Sequence, residues 1–197
     1  MPTIPEDQLR FVFPDGWFAS KFDTWSFYCR QFMKLASAEM PCSKCRQPLE
    51  CAVCRSKRVA GTKGIDILAI NVGQTCWQIE IKDYRQTRVG NFFFLADEVA
   101  LKVRDTLAAL VAAKLNANDA GEKELARQAL ACPQIRIVLH LEQPTPHSIA
   151  QSKATRKSQV LQRLKQLVKA IDPHPLVVDM NDDLYAWNVT QIGATPQ

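Results

Sequence analysis

No stretch of the 197-residue chain approaches the roughly 20 consecutive apolar residues that a membrane-spanning helix requires. The first residues, MPTIPEDQLR, have no basic segment leading into an apolar one, so the pattern of a secretory signal is missing and cytoplasmic residence is the expectation. Internal repeats and low-complexity tracts are absent, which argues against a solenoid or a disordered linker. There is no phosphate-cradling Walker-type loop, so a nucleotide-driven motor is not expected. Acidic residues are missing from one segment. Lys153, Arg156, Lys157, Arg163, Lys165 and Lys169 follow one another with no Asp or Glu between them.

A second basic block lies between Cys42 and Gly64, where Lys44, Arg46, Arg55, Lys57, Arg58 and Lys63 face only Glu50. The whole chain carries a net charge of only +5, so the clustering, not the total, points to a polyanionic partner. With 47% hydrophobic and 23% charged residues, the composition is that of an ordinary globular protein, and the length fits one domain over residues 1–197. Four of the seven cysteines, Cys42, Cys45, Cys51 and Cys54, fall in a loop at residues 41–55. Without a secretory signal, such a cluster reads as a metal site before it reads as disulfides. Four thiolates at this spacing suit tetrahedral Zn²⁺ in a compact knuckle, although unligated cysteines are also compatible with it. Cys29, Cys76 and Cys132 lie in apolar stretches and read as small buried residues.

Periodicity supplies the elements. Leu9 to Phe13 reads as extended, and Pro14-Asp15-Gly16 as a turn. Phe22, Trp25, Tyr28, Cys29, Phe32 and Leu35 recur at helical spacing and predict a helix over about Ser20 to Ala38, ended by Met40-Pro41. Ile65–Val72 and Thr75–Lys82 predict two strands around Gly73. Helices are expected over Leu95–Asn116 and Glu122–Ala131, then a strand over Ile135–Leu141. In the first of these helices Val99, Val103, Leu107, Leu110, Val111 and Leu115 form the expected apolar stripe. A basic helix to Ala170 and strands over Leu176–Asp179 and Tyr185–Val189 complete the chain. A short connection makes the first strand pair antiparallel, and long helices make the later strands parallel. The expected class is α/β, a mixed central sheet flanked by helices, with the cysteine knuckle inserted.

A turn centred on Gly73 pairs residue i with residue 146 − i, which sets Asp66 opposite Glu80 with Cβ atoms roughly 4.5–5.5 Å apart. Facing carboxylates repel and call for a cation between them. Lys82 shares the face of Glu80, and Ile81 points the other way. Two hard oxygen ligands suit Mg²⁺ or Mn²⁺, with the Ile81 carbonyl as a further ligand, and an ammonium group beside them suits a phosphodiester substrate. Gln78, on the same face, is a candidate to position water.

Gly64-Ile65-Asp66-Ile67-Leu68-Ala69-Ile70 and Ile79-Glu80-Ile81-Lys82-Asp83-Tyr84-Arg85 resemble the core motif of the PD-(D/E)XK nuclease superfamily. The resemblance covers about 20 residues directly and the order of elements around them more widely. It implies a restriction-endonuclease-like fold, Asp66 and Glu80 as ligands of a catalytic Mg²⁺, and Lys82 as catalytic lysine. Isoleucine stands at 65 in place of the motif's proline. A helix glutamate common in that superfamily has only Glu39 as its candidate here. The superfamily also makes an iron–sulfur cluster the rival to zinc at the four cysteines. The expectation is therefore a metal-dependent nuclease, a DNA endonuclease in the first place, working as a homodimer or with a partner protein of a bacterial defence or restriction system. The alternative is a non-catalytic nucleic-acid-binding or zinc-stabilised interaction module. Lys44, Arg46, Arg55, Lys57, Arg58, Lys63 and Arg85 are the expected phosphate contacts, with Tyr84 and Arg88 beside them. His140, alone on an apolar strand, reads as a hydrogen-bonded core residue.

Overall fold

The computed structural model describes residues 1–34, 62–71, 73–85, 94–143 and 153–192, with the side chains of residues 153–156 excepted. Cys42, Cys45, Cys51, Cys54, Glu39, Lys44, Arg46, Arg55, Lys57, Arg58 and Arg88 lie outside the described residues.

The strands Ile67–Asn71 (β4) and Thr75–Asp83 (β5) form where β-branched residues run on either side of Gly73. Gly73 sits at φ +71°, a conformation that glycine adopts without steric cost, and this closes the turn. The register is the expected one, with Ile67 opposite Ile79 and Asn71 opposite Thr75. β3 (Trp17–Lys21) pairs antiparallel with β4, while β6 (Gln134–Glu142) and β7 (Leu176–Val178) add in parallel on the far side of β5. The five-stranded sheet runs β3-β4-β5-β6-β7 and is mixed, as expected of the α/β class. A second, antiparallel sheet, β1-β2-β8, comprises Thr3–Glu6, Leu9–Val12 and Asn188–Gln191.

β5 is covered on both faces, and the period of two sorts its residues. Cys76 faces the helices, whereas Ile79 and Ile81 join Phe11, Phe13 and Trp187 under the smaller sheet. Burying Ile79 and Ile81 contributes about 1.5–3 kcal/mol each, and a slip of one residue would exchange them for Glu80 and Lys82 under the smaller sheet, which fixes the register.

The helix expected over Ser20 to Ala38 is replaced by other structure as far as Lys34, and residues 35–38 lie outside the described residues. Residues through Lys21 extend β3, a 3₁₀ turn covers Phe22–Thr24, and the α-helix is only Ser26–Arg30 (α1) before a second 3₁₀ turn at Phe32–Lys34. The hydrogen bond from Phe22 N–H to the Asp66 carbonyl (2.9 Å) carries the strand pairing past Lys21, and long-range pairing overrides the local helical spacing. The aromatic spacing still serves packing, since Phe22, Trp25, Phe27, Tyr28 and Phe32 are all buried.

Helix α2 spans Leu95–Asn116, the expected range. Its buried face is Leu95, Ala96, Val99, Val103, Thr106, Ala109, Leu110 and Ala113, where the alanines let the helix lie close to its neighbours. Val111 and Leu115, expected on that stripe, are 52% and 64% exposed, because they lie roughly 60° and 100° around the helix beyond its edge at Ala96. Helix α3 spans Ala120–Ala131, starting under the cap of Asp119, whose carboxylate accepts the Glu122 N–H at 2.8 Å. The Glu122 side chain then accepts from the Ser26 and Phe27 N–H groups (2.6 and 3.0 Å) and pins the start of α1. Helix α4, Lys153–Val168, buries Val160, Leu164 and Val168 at four-residue intervals. Among the described residues, no helix is long and apolar enough to cross a membrane.

Candidate functional site

Glycine makes the approach to the site possible. A Cβ at Gly64 would lie 2.9 Å from the Phe22 ring and 3.1 Å from Tyr28, so only glycine lets the chain pass between them into β4. Two residues on, Asp66 turns its side chain across to β5 and accepts the Ile81 N–H through Oδ2 at 2.7 Å. Glu80 arrives on the helix-facing side of β5 and is fully buried. The paired carboxylates expected from the register are therefore present.

The cation between them is a side chain of the protein. Lys102, in the middle of α2, places its ammonium 2.6 Å from Glu80 Oε1 and 3.4 Å from Asp66 Oδ1. Lys82 reaches the same Glu80 oxygen at 3.0 Å. The counter-charge that two facing carboxylates call for is supplied here by the Lys102 ammonium. Among the described residues no group of three or more His, Cys, Asp or Glu side chains converges as a metal site. Ile81 has its side chain on the opposite face, as expected, and its N–H is engaged by Asp66.

The ion network continues outward. Lys82 lies 3.7 Å from Glu98 on the first turn of α2, and Lys63 lies 3.8 Å from the same Glu98 oxygen. Charges alternate along the network as Asp66, Lys102, Glu80, Lys82, Glu98 and Lys63, with Glu80 the innermost. Exposure rises along the way, from 0% at Glu80 to 22% at Lys82, 39% at Glu98 and 51% at Lys63.

Burial first, and then the Asp66 charge, push the Glu80 carboxyl up to about 7, although Lys102 and Lys82 pull in the other direction. Burial, the strongest single influence, would lower both lysines, but the Glu80 charge and hydrogen bond together with the Asp66 charge (and Glu98 at Lys82) outweigh it, and both are held above the ordinary lysine value. Glu80 Oε2 and both amide atoms of Gln78, all buried, have no hydrogen-bond partner among the described residues. Gln78 thus lies beside Glu80 on the expected face, wholly buried.

Arg85 does not join the site. Asp83, two residues before it, holds the guanidinium at 2.6 and 2.9 Å, and a further bond goes to Gln191 at 3.2 Å. Three of its five N–H donors are thus engaged, and its bonds hold the Asp83 carboxyl below the usual range. His140 is fully buried on the other face of the sheet, where Nε2 meets Glu142 at 3.0 Å, as expected of a core histidine.

Sequence reasoning missed Lys102 and Glu98. A signal was present for Lys102: a basic residue immediately before Val103 and three after Val99 stands at the margin of the buried stripe of α2, where a charge requires a partner.

No family model matches the chain, and no solved structure matches it. A similarity does exist to a curated protein, the cysteine–tRNA ligase of Neisseria meningitidis serogroup A / serotype 4A (strain DSM 15465 / Z2491), 35% identical over 162 residues. The alignment takes in 75% of this chain but 22% of the ligase, so the chain spans about a fifth of the relative's length. The relative is a ligase, not a hydrolase. The expectation of a metal-dependent DNA endonuclease, or of a module of a defence or restriction complex, is overturned by this finding. What the chain is similar to is a segment of an enzyme named for joining cysteine to transfer RNA.

Proposed function

We propose that the chain is a module of aminoacyl-tRNA synthesis that binds transfer RNA by its phosphate backbone, with the end of the ion network at Lys82 and Lys63 as part of the contact. The observation that carries this reading is the 35% identity to a tRNA ligase over three-quarters of the chain. The clustered bases around residues 44–63 support it, as do those of residues 153–169 other than Lys157 and Arg163, which Asp179, Asp182 and Asp97 engage, since RNA contacts of this kind position the nucleic acid without reading its sequence. In this reading Asp66, Glu80 and Lys102 form a fixed base. They hold Lys82 on its strand, and Lys82 presents its charge outward. A cytoplasmic location belongs to the same proposal.

Zinc also remains part of it. Cys42, Cys45, Cys51 and Cys54 form a donor set suited to a tetrahedral ion, which would fix the basic segment they bracket. Near-stoichiometric zinc in the purified protein is the expected result of elemental analysis, and a metal-free protein would remove this part. The restriction-endonuclease-like core is retained as a description of architecture alone, supported by the strand register and the mixed sheet.

The deciding experiment is fluorescence anisotropy of labelled unfractionated tRNA with the full chain at increasing salt. The expected result is binding whose log K falls linearly with log salt, at a slope of about −0.7 to −0.9 for each phosphate contact. Absence of salt-dependent binding, or equal binding to any polyanion such as heparin, would refute the tRNA assignment.

A further inference from the structure

The inner and outer ion pairs of the network differ in kind. Lys102 and Lys82 meet Glu80 at 2.6 and 3.0 Å, within hydrogen-bond length. Glu98 stands 3.7 Å from Lys82 and 3.8 Å from Lys63, too far for a hydrogen bond to either, although a single oxygen serves both. Two ammonium groups thus converge on one carboxylate oxygen at the solvent edge. An oxygen of a phosphate group would satisfy the same two donors, and with more charge. Glu98 also lies in the first turn of the 22-residue helix α2, whose N-terminal end favours negative charge. Loose, exposed ion pairs contribute little to stability, so this carboxylate can leave at small cost.

From this geometry we propose that the Lys63–Lys82 pair is an anion subsite for one phosphate group of the bound RNA, and that Glu98 is a tethered carboxylate that occupies the subsite until the RNA displaces it. The subsite deepens the tRNA reading and rests on it for the identity of the ligand. Glu98 lowers affinity for every polyanion and limits binding to RNAs whose other contacts hold a phosphate against it. Lys82 is positioned for this by Glu80, which holds its ammonium at the mouth of the site. The inner pair Lys102–Glu80 stays closed throughout.

The test compares the unsubstituted 197-residue chain with Glu98→Gln, Glu98→Gln/Lys63→Ala and the remote control Glu124→Gln. Glu124 is also exposed and ion-paired, with Arg127, but lies on α3. Two probes are used, labelled unfractionated tRNA by anisotropy and inorganic pyrophosphate by calorimetry. Glu98→Gln is expected to tighten both by about three- to fivefold and to steepen the tRNA salt slope by roughly one phosphate contact. The added Lys63→Ala should cancel the gain, and Glu124→Gln should not reproduce it. Tight tRNA binding that Glu98→Gln leaves unchanged overturns the subsite and spares the tRNA reading. Pyrophosphate binding that tightens in Glu98→Gln while no variant binds tRNA upholds the subsite and overturns the tRNA reading. An equal gain in Glu124→Gln means that net charge alone is responsible, and this too overturns the subsite.

Discussion

The two ends of one ion network behave as different materials. At the inner end, Asp66, Lys102 and Glu80 are nearly excluded from water and held at hydrogen-bond distances; at the outer end, Glu98 and Lys63 are substantially exposed and loosely paired. The residue types are the same throughout, carboxylates and lysines. What differs is the dielectric around them. In the interior, an unpaired charge is costly and the pairs cannot open independently. At the surface, water compensates each partner, and the pair can exchange for a ligand. The inner end therefore acts as structure, and the outer end is available for binding.

The largest expected effect comes from breaking the inner end. Lys102→Met removes the ammonium that lies between Asp66 and Glu80, leaving two carboxylates to share a buried site. Unfolding in urea at pH 8 should show a loss of about 3–5 kcal/mol, the usual cost of orphaning a buried ion partner. The loss should shrink at pH 5, where protonation relieves the repulsion. A loss that is independent of pH would mean that Lys102 matters for packing, not for charge.

A second test uses pH alone. Glu80 has its carboxyl raised from 4.5 to about 7, so the unfolded chain releases this proton before the folded one does. Its contribution to stability is complete below about pH 4.5, declines as pH rises, and is gone above about pH 7. The shift corresponds to on the order of 3 kcal/mol at 1.36 kcal/mol per pH unit. Glu80→Gln, which cannot titrate, should flatten that part of the stability profile. If the wild-type and Glu80→Gln profiles run parallel between pH 4.5 and 7, the buried carboxyl is not the source.

The smallest effect belongs to the outer end. Glu98→Gln should change unfolding free energy by less than about 1 kcal/mol, because Glu98 itself and Lys63 are exposed and both contacts are loose. A larger loss would show that the two ends are not separable, and would place Glu98 in the structural part of the network.

Much of the site was legible because strand pairing is a local matter. Gly73 fixes the turn, the turn fixes the register, and the register sets Asp66 across from Glu80 with Lys82 on the same face. The pairing of Arg85 was not legible because its partner, Asp83, lies two residues before it, and the sequence does not say whether such neighbours pair or diverge. The first helix was misread because aromatic residues at helical spacing also suit a strand followed by tight turns, and only the pairing of Trp17–Lys21 with β4 decides between them. The nuclease expectation failed for a different reason. The motif specified a constellation of side chains correctly, but a constellation does not fix a reaction.

By itself, the sequence determined that two carboxylates and a lysine meet on adjacent strands, since period two and a glycine turn are properties of the chain alone. It also marked out the extent of α2 closely, since apolar residues at helical spacing run through 22 positions. Only the tertiary structure decided which cation stands between those carboxylates. That depends on the rotation of α2 against the sheet, set by the packing of Val99, Val103 and Leu110, and this rotation brings Lys102 inward and leaves Glu98 at the mouth.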